Sequence, residues 1–261
     1  MTEKRYTSDL TDTQWKLIEH LFRPLPETGR PREIPYREIL NGIFYVIRTG
    51  CQWRNVPKDL PAWSALYTYY RNWILSGFWI TLHDYLRRKL RRAKGRKAKP
   101  SAAILDSQTV KSTEWNDARG YDAGKKINGS KRHLVVDTLG LVLMVMVTTA
   151  NVQDRDAARS LLAAVFEIFG TIRLVWADSG YAGQLVDWVW QRFRKCLDIV
   201  KPPPGTKGFR VQRKRWIVER TFGWLNRWRR LSKNYERKTD TAEAVVYIPM
   251  IHLMLRRLAK S

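Results

Sequence analysis

Two cysteines, Cys51 and Cys196, are all that 261 residues contain. A pair so far apart makes neither a disulfide framework nor a thiolate metal cluster. Long apolar runs are also missing, since none approaches the roughly 20 residues needed to cross a bilayer. The opening stretch MTEKRYTSDLTDTQW has no apolar signal region. These absences set the expectation of a soluble protein of a reducing, cytoplasmic compartment with no membrane partner. Acids are scarce as well: 24 Asp and Glu face 48 Lys and Arg, for a net charge of +24.

The excess is unevenly spread. Residues 1–99 hold 20 Lys/Arg against 9 Asp/Glu, residues 100–200 hold 12 against 11, and residues 201–261 hold 16 against 4. Two basic flanks therefore bracket a nearly neutral centre. Charge of this size favours a polyanion, because each neutralised phosphate releases counterions. A ribosomal or chromatin-like packing protein could carry the same excess, but the 12 Trp speak against it. Nucleic acid is the expected partner.

The first ninety-odd residues read as helical. LTDTQWKLIEHLF has an N-cap at Thr11 or Asp12. PYREILNGIFYVIRTG begins with Pro35 and stops at Gly50, and PAWSALYTYYRNWILSG repeats that grammar from Pro61 to Gly77. Short helices with aromatic cores and basic faces suit a small DNA-binding bundle, with a helical cap or dimerisation arm as the alternative. The tract 87–99 holds nine Lys/Arg and reads as a solvated hinge touching phosphates.

From residue 101 the pattern changes to strands. AAILDSQTV is a short apolar strand that ends on Asp106, and KRHLVVDTLGLVLMVMVTTA a hairpin turning near Asp137–Gly140. A helix capped by Asp154, the strand IRLVWAD, a helix at GQLVDWVWQRF and a strand at CLDIV follow. A long helix is expected through QRKRWIVERTFGWLNRWRRLSK. The order β-β-β-α-β-α-β-α predicts a mixed α/β sheet with helices on its faces. The polar stretch KSTEWNDARGYDAGKKINGS reads as a mobile loop over the site. The expected boundaries are 1–93 for a helical domain, 94–100 for a basic linker, 101–240 for the α/β domain and 241–261 for a C-terminal helix.

Asp106 follows AAIL and Asp178 follows LVWA, each directly after an apolar strand run. If the two strands are neighbours, both carboxylates emerge at one edge of the sheet. Such a pair repels unless a cation lies between them. Hard oxygen ligands of this kind suit Mg²⁺, or Mn²⁺ in its place. A third acid, Glu219, is the only one between residues 201 and 235. It lies opposite an apolar stripe of Ile217, Thr221, Trp224, Leu225, Trp228 and Leu231, in line with Arg215, Asn226 and Arg230. Periodicity alone leaves open a plain ion pair with Arg215.

ILDSQTVK, VWADSGYAG and RWIVERTFGWLNRWRRL together resemble the signature blocks of the IS5-group insertion-sequence transposases, in the IS4-like class of DDE transposases. LTDTQWKLIEHLF and GCQWRNVPKDLP resemble the N-terminal region of the same group. The resemblance implies an RNase H-like fold with Asp106, Asp178 and Glu219 as catalytic triad and metal ligands. It implies a bacterial protein working at the nucleoid on the terminal repeats of its element and on target DNA, as a homodimer on DNA. In the family's Tyr–Arg–Glu–Lys pattern, Arg215 and Glu219 fit, but Gln212 stands at the Tyr position and Asn226 at the Lys position. Arg227 and Arg230 are candidates for the missing cation. Lys111, Lys131 and Arg132 are further expected DNA contacts. His133, Asp137 and Asp154 are second-layer candidates whose plain readings are strand surface, turn and N-cap.

The implied reaction is metal-assisted phosphoryl transfer: water cuts at the element's tip and the freed 3′-hydroxyl attacks target DNA. Two rivals remain. One is a recombinase whose nucleophile is Tyr181, Tyr121 or Ser107, although only four His exist to support it. The other is a non-catalytic DNA-binding repressor derived from a transposase.

Overall fold

A computed structural model of the chain describes residues 5–22, 34–200 and 214–260. The N-terminal part is helical: α1 (Asp12–Lys16), α2 (Tyr36–Thr49), α3 (Trp63–Leu75) and α4 (Phe78–Ala93). The Thr11 hydroxyl accepts from the Gln14 amide while the Gln14 side chain accepts from the Thr11 amide, a reciprocal cap that starts α1. Pro35 and Gly50 bracket α2 as expected, with Gly50 left-handed at φ 72°.

Six strands follow in one sheet: β1 (Ala102–Lys111), β2 (Gly120–Asp122), β3 (Ile127–Asp137), β4 (Val142–Thr149), β5 (Leu174–Ala177) and β6 (Cys196–Ile199). The order is β2-β3-β1-β5-β6, and β4 pairs with β3 beyond the stretch that β2 takes. β1, β3 and β4 are antiparallel, whereas β5 and β6 run parallel to β1. The remaining helices are α5 (Asp154–Ile168), α6 (Gln184–Phe193), α7 (Trp216–Asn226) and α8 (Thr239–Leu258).

Alternation along β1 divides the interior. Ala103 and Leu105 face one core with α5 and α6, while Ile104 faces another built with α7, α8 and the N-terminal helices. α8 is buried nearly all round because it runs between those helices and the sheet. The second core is continuous from Leu10 through Ile104 to Leu258.

Several expectations change here. The polar segment 111–130 is not a free loop. It contains β2, Asp122 accepts from the Thr109 hydroxyl at 2.6 Å, and Asn116 donates to the Glu236 carbonyl at 2.6 Å. The tract 87–99 is not a solvated hinge either. α4 continues to Ala93, and Arg87 and Arg91 are buried with their guanidinium groups on the Ala98 and Lys97 carbonyls. The long last helix stops at Asn226, because Trp228 turns extended to pack against Phe44 and His252. Gln212 lies outside the described residues.

Candidate active site

β1 and β5 are parallel neighbours with Ile104 opposite Trp176. Two residues further along each strand stand Asp106 and Asp178, so the register delivers both acids to the same level at the C-terminal edge of the pair. Ligands of open α/β sheets collect at such edges. Asp178 lies just past β5, where its Oδ1 accepts from the Gly180 amide at 2.8 Å and starts a 3₁₀ turn. Asp106 shares its face of β1 with Ile104, the face on which α7 packs. Its Oδ1 accepts from the Ser107 amide at 2.7 Å.

α7 supplies the third acid. Ile217, Val218, Thr221, Phe222 and Leu225 are buried, which turns Glu219 outward with its side chain 43% exposed. Arg215, at the N-cap of α7, ties the group together. Its Nη2 lies 3.4 Å from Asp106 Oδ2, 3.5 Å from Asp178 Oδ2 and 3.7 Å from Glu219 Oε1. One guanidinium nitrogen therefore touches all three acids named from the sequence.

Burial is the largest influence on Asp106 and pushes its carboxyl up to about 6. The Ser107 amide and Arg215 pull it down, and Asp178 pushes it further up. Such a carboxylate gains from a cation. The donor set, three carboxylates and no sulfur or imidazole, matches Mg²⁺ or Mn²⁺. Among the described residues, however, no three His, Cys, Asp or Glu side chains form a ready metal cluster. The contacts to Arg215 hold the oxygens much wider than the 2.0–2.1 Å of Mg²⁺ coordination. A divalent ion held by these acids would need Arg215 Nη2 displaced and the carboxylates drawn in.

The expected DNA contacts divide. Lys111 is exposed at the end of β1, and Arg227 is exposed beyond α7. Arg132 is 2% exposed and donates to the Leu231 and Lys233 carbonyls; burial lowers its pKa to about 10. Lys131 is buried on the Val152 carbonyl and Asp154, and Arg230 is paired with Glu236 at 2.7 Å. For Arg132, Lys131 and Arg230 the phosphate-contact expectation is corrected: their cationic ends are turned to partners inside the fold.

Asp137 is wholly buried, accepting from the Leu139 and Leu141 amides and from Arg91, so it builds the hairpin turn. Asp154 opens α5 but is not its N-cap, which is Gln153. His133 is buried rather than at a strand surface, with Nε2 3.0 Å from the Thr148 hydroxyl, and burial lowers its pKa to about 4. Tyr181 is 1% exposed, and burial raises its phenol well above the usual range. Two cations not singled out from the sequence, Arg220 and Arg257, flank Trp224 at 4.6 and 4.4 Å. The i, i+4 spacing of Arg220 and Trp224 was the available signal.

A mixed sheet of this order with helices on its faces is the frame of an RNase H-like fold of the DDE type. The comparisons agree. Residues 97–254 match the family "Transposase DDE domain", and residues 10–83 match "Putative transposase of IS4/5 family". The chain belongs to the IS4/IS5-type DDE transposases. It is similar to the "Putative transposase for insertion sequence element IS402" of Burkholderia cepacia, 33% identical over 125 residues, which are 43% of this chain and 56% of that relative. It is also similar to the "Insertion element IS402 uncharacterized 16.2 kDa protein" of the same organism, 34% identical over 125 residues, which are 45% of this chain and 78% of that relative. No described helix is long and apolar enough to cross a membrane.

Proposed function

We propose that the chain cleaves the ends of an insertion sequence and joins the resulting 3′-hydroxyl to target DNA, acting as a dimer on duplex DNA. The observation that carries this reading is the meeting of Asp106, Asp178 and Glu219 on one nitrogen of Arg215. These three acids would hold Mg²⁺ or Mn²⁺. When bound, the metal supplies Lewis-acid stabilisation of the attacking and leaving oxygens.

The protein's own contribution is positioning and charge. Strands β1 and β5 hold Asp106 and Asp178 on a rigid base, and α7 brings Glu219 from the side. With a divalent ion held by the three acids, Arg215 Nη2 would give up these three contacts and could take a phosphate oxygen instead. Lys111 and Arg227 remain DNA-contact candidates on exposed positions. The buried Tyr181 phenol weighs against a covalent protein–DNA intermediate through that residue, while Tyr121 is exposed.

Asp178→Asn tests the assignment. Cleavage of a duplex carrying the element's end falls at least 10³-fold, while binding of that duplex stays close to the unaltered chain. Cleavage that survives the substitution rules out the metal role of this acid. The repressor reading predicts no Mg²⁺-dependent cleavage by the unaltered chain at all.

A further inference from the structure

On α7, the stripe Trp216, Arg220 and Trp224 lies about 100° round the helix from Glu219. Arg220 sits 4.5 Å from the Trp216 ring centroid and 4.6 Å from that of Trp224, and Arg257 from the end of α8 lies 4.4 Å from Trp224. One indole is thus flanked by two guanidinium groups. Burial lowers the pKa of both, and Arg220 lowers that of Arg257 further. Asp137, the one carboxylate acting on both, is already occupied by Arg91 and the turn amides.

Among the described residues, the Arg257 side chain has neither a hydrogen bond nor a salt bridge. Arg220 donates only to the Leu139 carbonyl, at 3.1 Å, and its Nε is buried without a partner. The two arginines, with Lys94 and Lys260, line a groove of about 430 Å³ with no acid among the described residues of its wall. Trp224 lines a neighbouring groove of about 260 Å³, together with Arg48, Arg227 and Arg256 and with no acid among its described lining residues. Cations at helix C-termini are favourable in themselves, and that accounts for Lys94 and the end of α8. It does not account for Arg220 in the body of α7, nor for two partly desolvated like charges set side by side. An anion in the groove relieves both.

We infer that the two grooves form one phosphate-binding track, distinct from the carboxylate site, that takes the sugar–phosphate backbone of duplex DNA beside the cut. The inference rests on the reading of the chain as acting on DNA. Seven cations flanking two tryptophans suit a run of phosphates better than a single small anion.

The test uses the full chain and the double variant Arg257→Gln, Lys260→Gln on two duplexes of equal length, one carrying the element's end and one unrelated. Affinity is measured between about 50 and 200 mM salt. Each lost phosphate contact lowers the slope of log affinity against log salt by about 0.9. The variant's slope is therefore expected to fall by about two on both duplexes, and its affinity deficit to shrink about tenfold across the range. The charge-keeping variant Arg257→Lys, Lys260→Arg retains the slope, and Mn²⁺ binding is unchanged in both. An unaltered slope overturns the inference, as does an equal loss at every salt, which signals a loosened fold. Inorganic phosphate binding that the double variant loses while its DNA slope is kept assigns the groove to a small anion and also overturns it. Should Asp178→Asn leave cleavage intact, the catalytic reading falls while the slope change stands.

Discussion

Asp106→Asn separates what the site costs the fold from what it does for the reaction. The folded carboxyl titrates at about 6 against an ordinary value of 3.8, chiefly because it is buried. Between those values the folded form keeps a proton that the unfolded chain releases, so stability is lost as pH rises through that window. Below it both forms are protonated and Asp106 contributes nothing. Two pKa units correspond to about 3 kcal/mol at most. In EDTA at pH 8, Asn at this position therefore raises stability by up to ~3 kcal/mol, or roughly 6 °C in Tm for a chain of this size. The gain fades below about pH 4. Denaturant melts of both proteins across pH 4 to 8 measure it. A variant less stable than the parent at pH 8, or a gain that does not change with pH, refutes the argument that the ionised group is strained. Activity is expected to vanish in the same variant, the usual opposition of stability and function at a charged site.

Removing the Arg132 side chain by Arg132→Ala costs about 3 kcal/mol, because the Leu231 and Lys233 carbonyls lose their buried donor. The salt dependence of DNA binding should not change, and a reduced slope at normal stability contradicts its internal role. Arg227→Ala, on an exposed position, is expected to do the reverse, leaving Tm within about 1 °C while lowering the salt slope by about one. Gly140→Ala places a methyl 2.9 Å from the Thr221 hydroxyl at φ +80°. A loss of about 1–3 kcal/mol in thermal or urea unfolding follows, and an unchanged midpoint disproves the strain.

The parts of the fold legible in the sequence were those set by local chemistry. Pro35 and Gly50 mark the ends of α2 because one presets φ and the other accepts a left-handed φ. The apolar run before Asp178 marked the end of β5, whereas β1 runs on past Asp106 to Lys111, and the parallel pairing of the two strands explains why the acids share an edge. What could not be read depended on distant partners. Trp228 has the periodicity to continue a helix, but packing against Phe44 and His252 ends α7 first. Lys131 and Arg132 look like strand-surface cations until other parts of the chain cover them, Val152 and Asp154 for the first and residues 231 to 233 for the second. Nor could the sequence say that Arg215, which fits a plain i, i+4 pair with Glu219, also reaches two acids from other strands.

The central claim is that the three acids share a divalent ion once Arg215 gives way. A crystal structure of the full chain soaked in Mn²⁺, with anomalous data, addresses it directly. The account predicts an anomalous peak within about 2.3 Å of oxygens from both Asp106 and Asp178, with the Arg215 guanidinium displaced from its position between them. A peak held by other residues, or Arg215 still seated among the three carboxylates at saturating Mn²⁺, contradicts it.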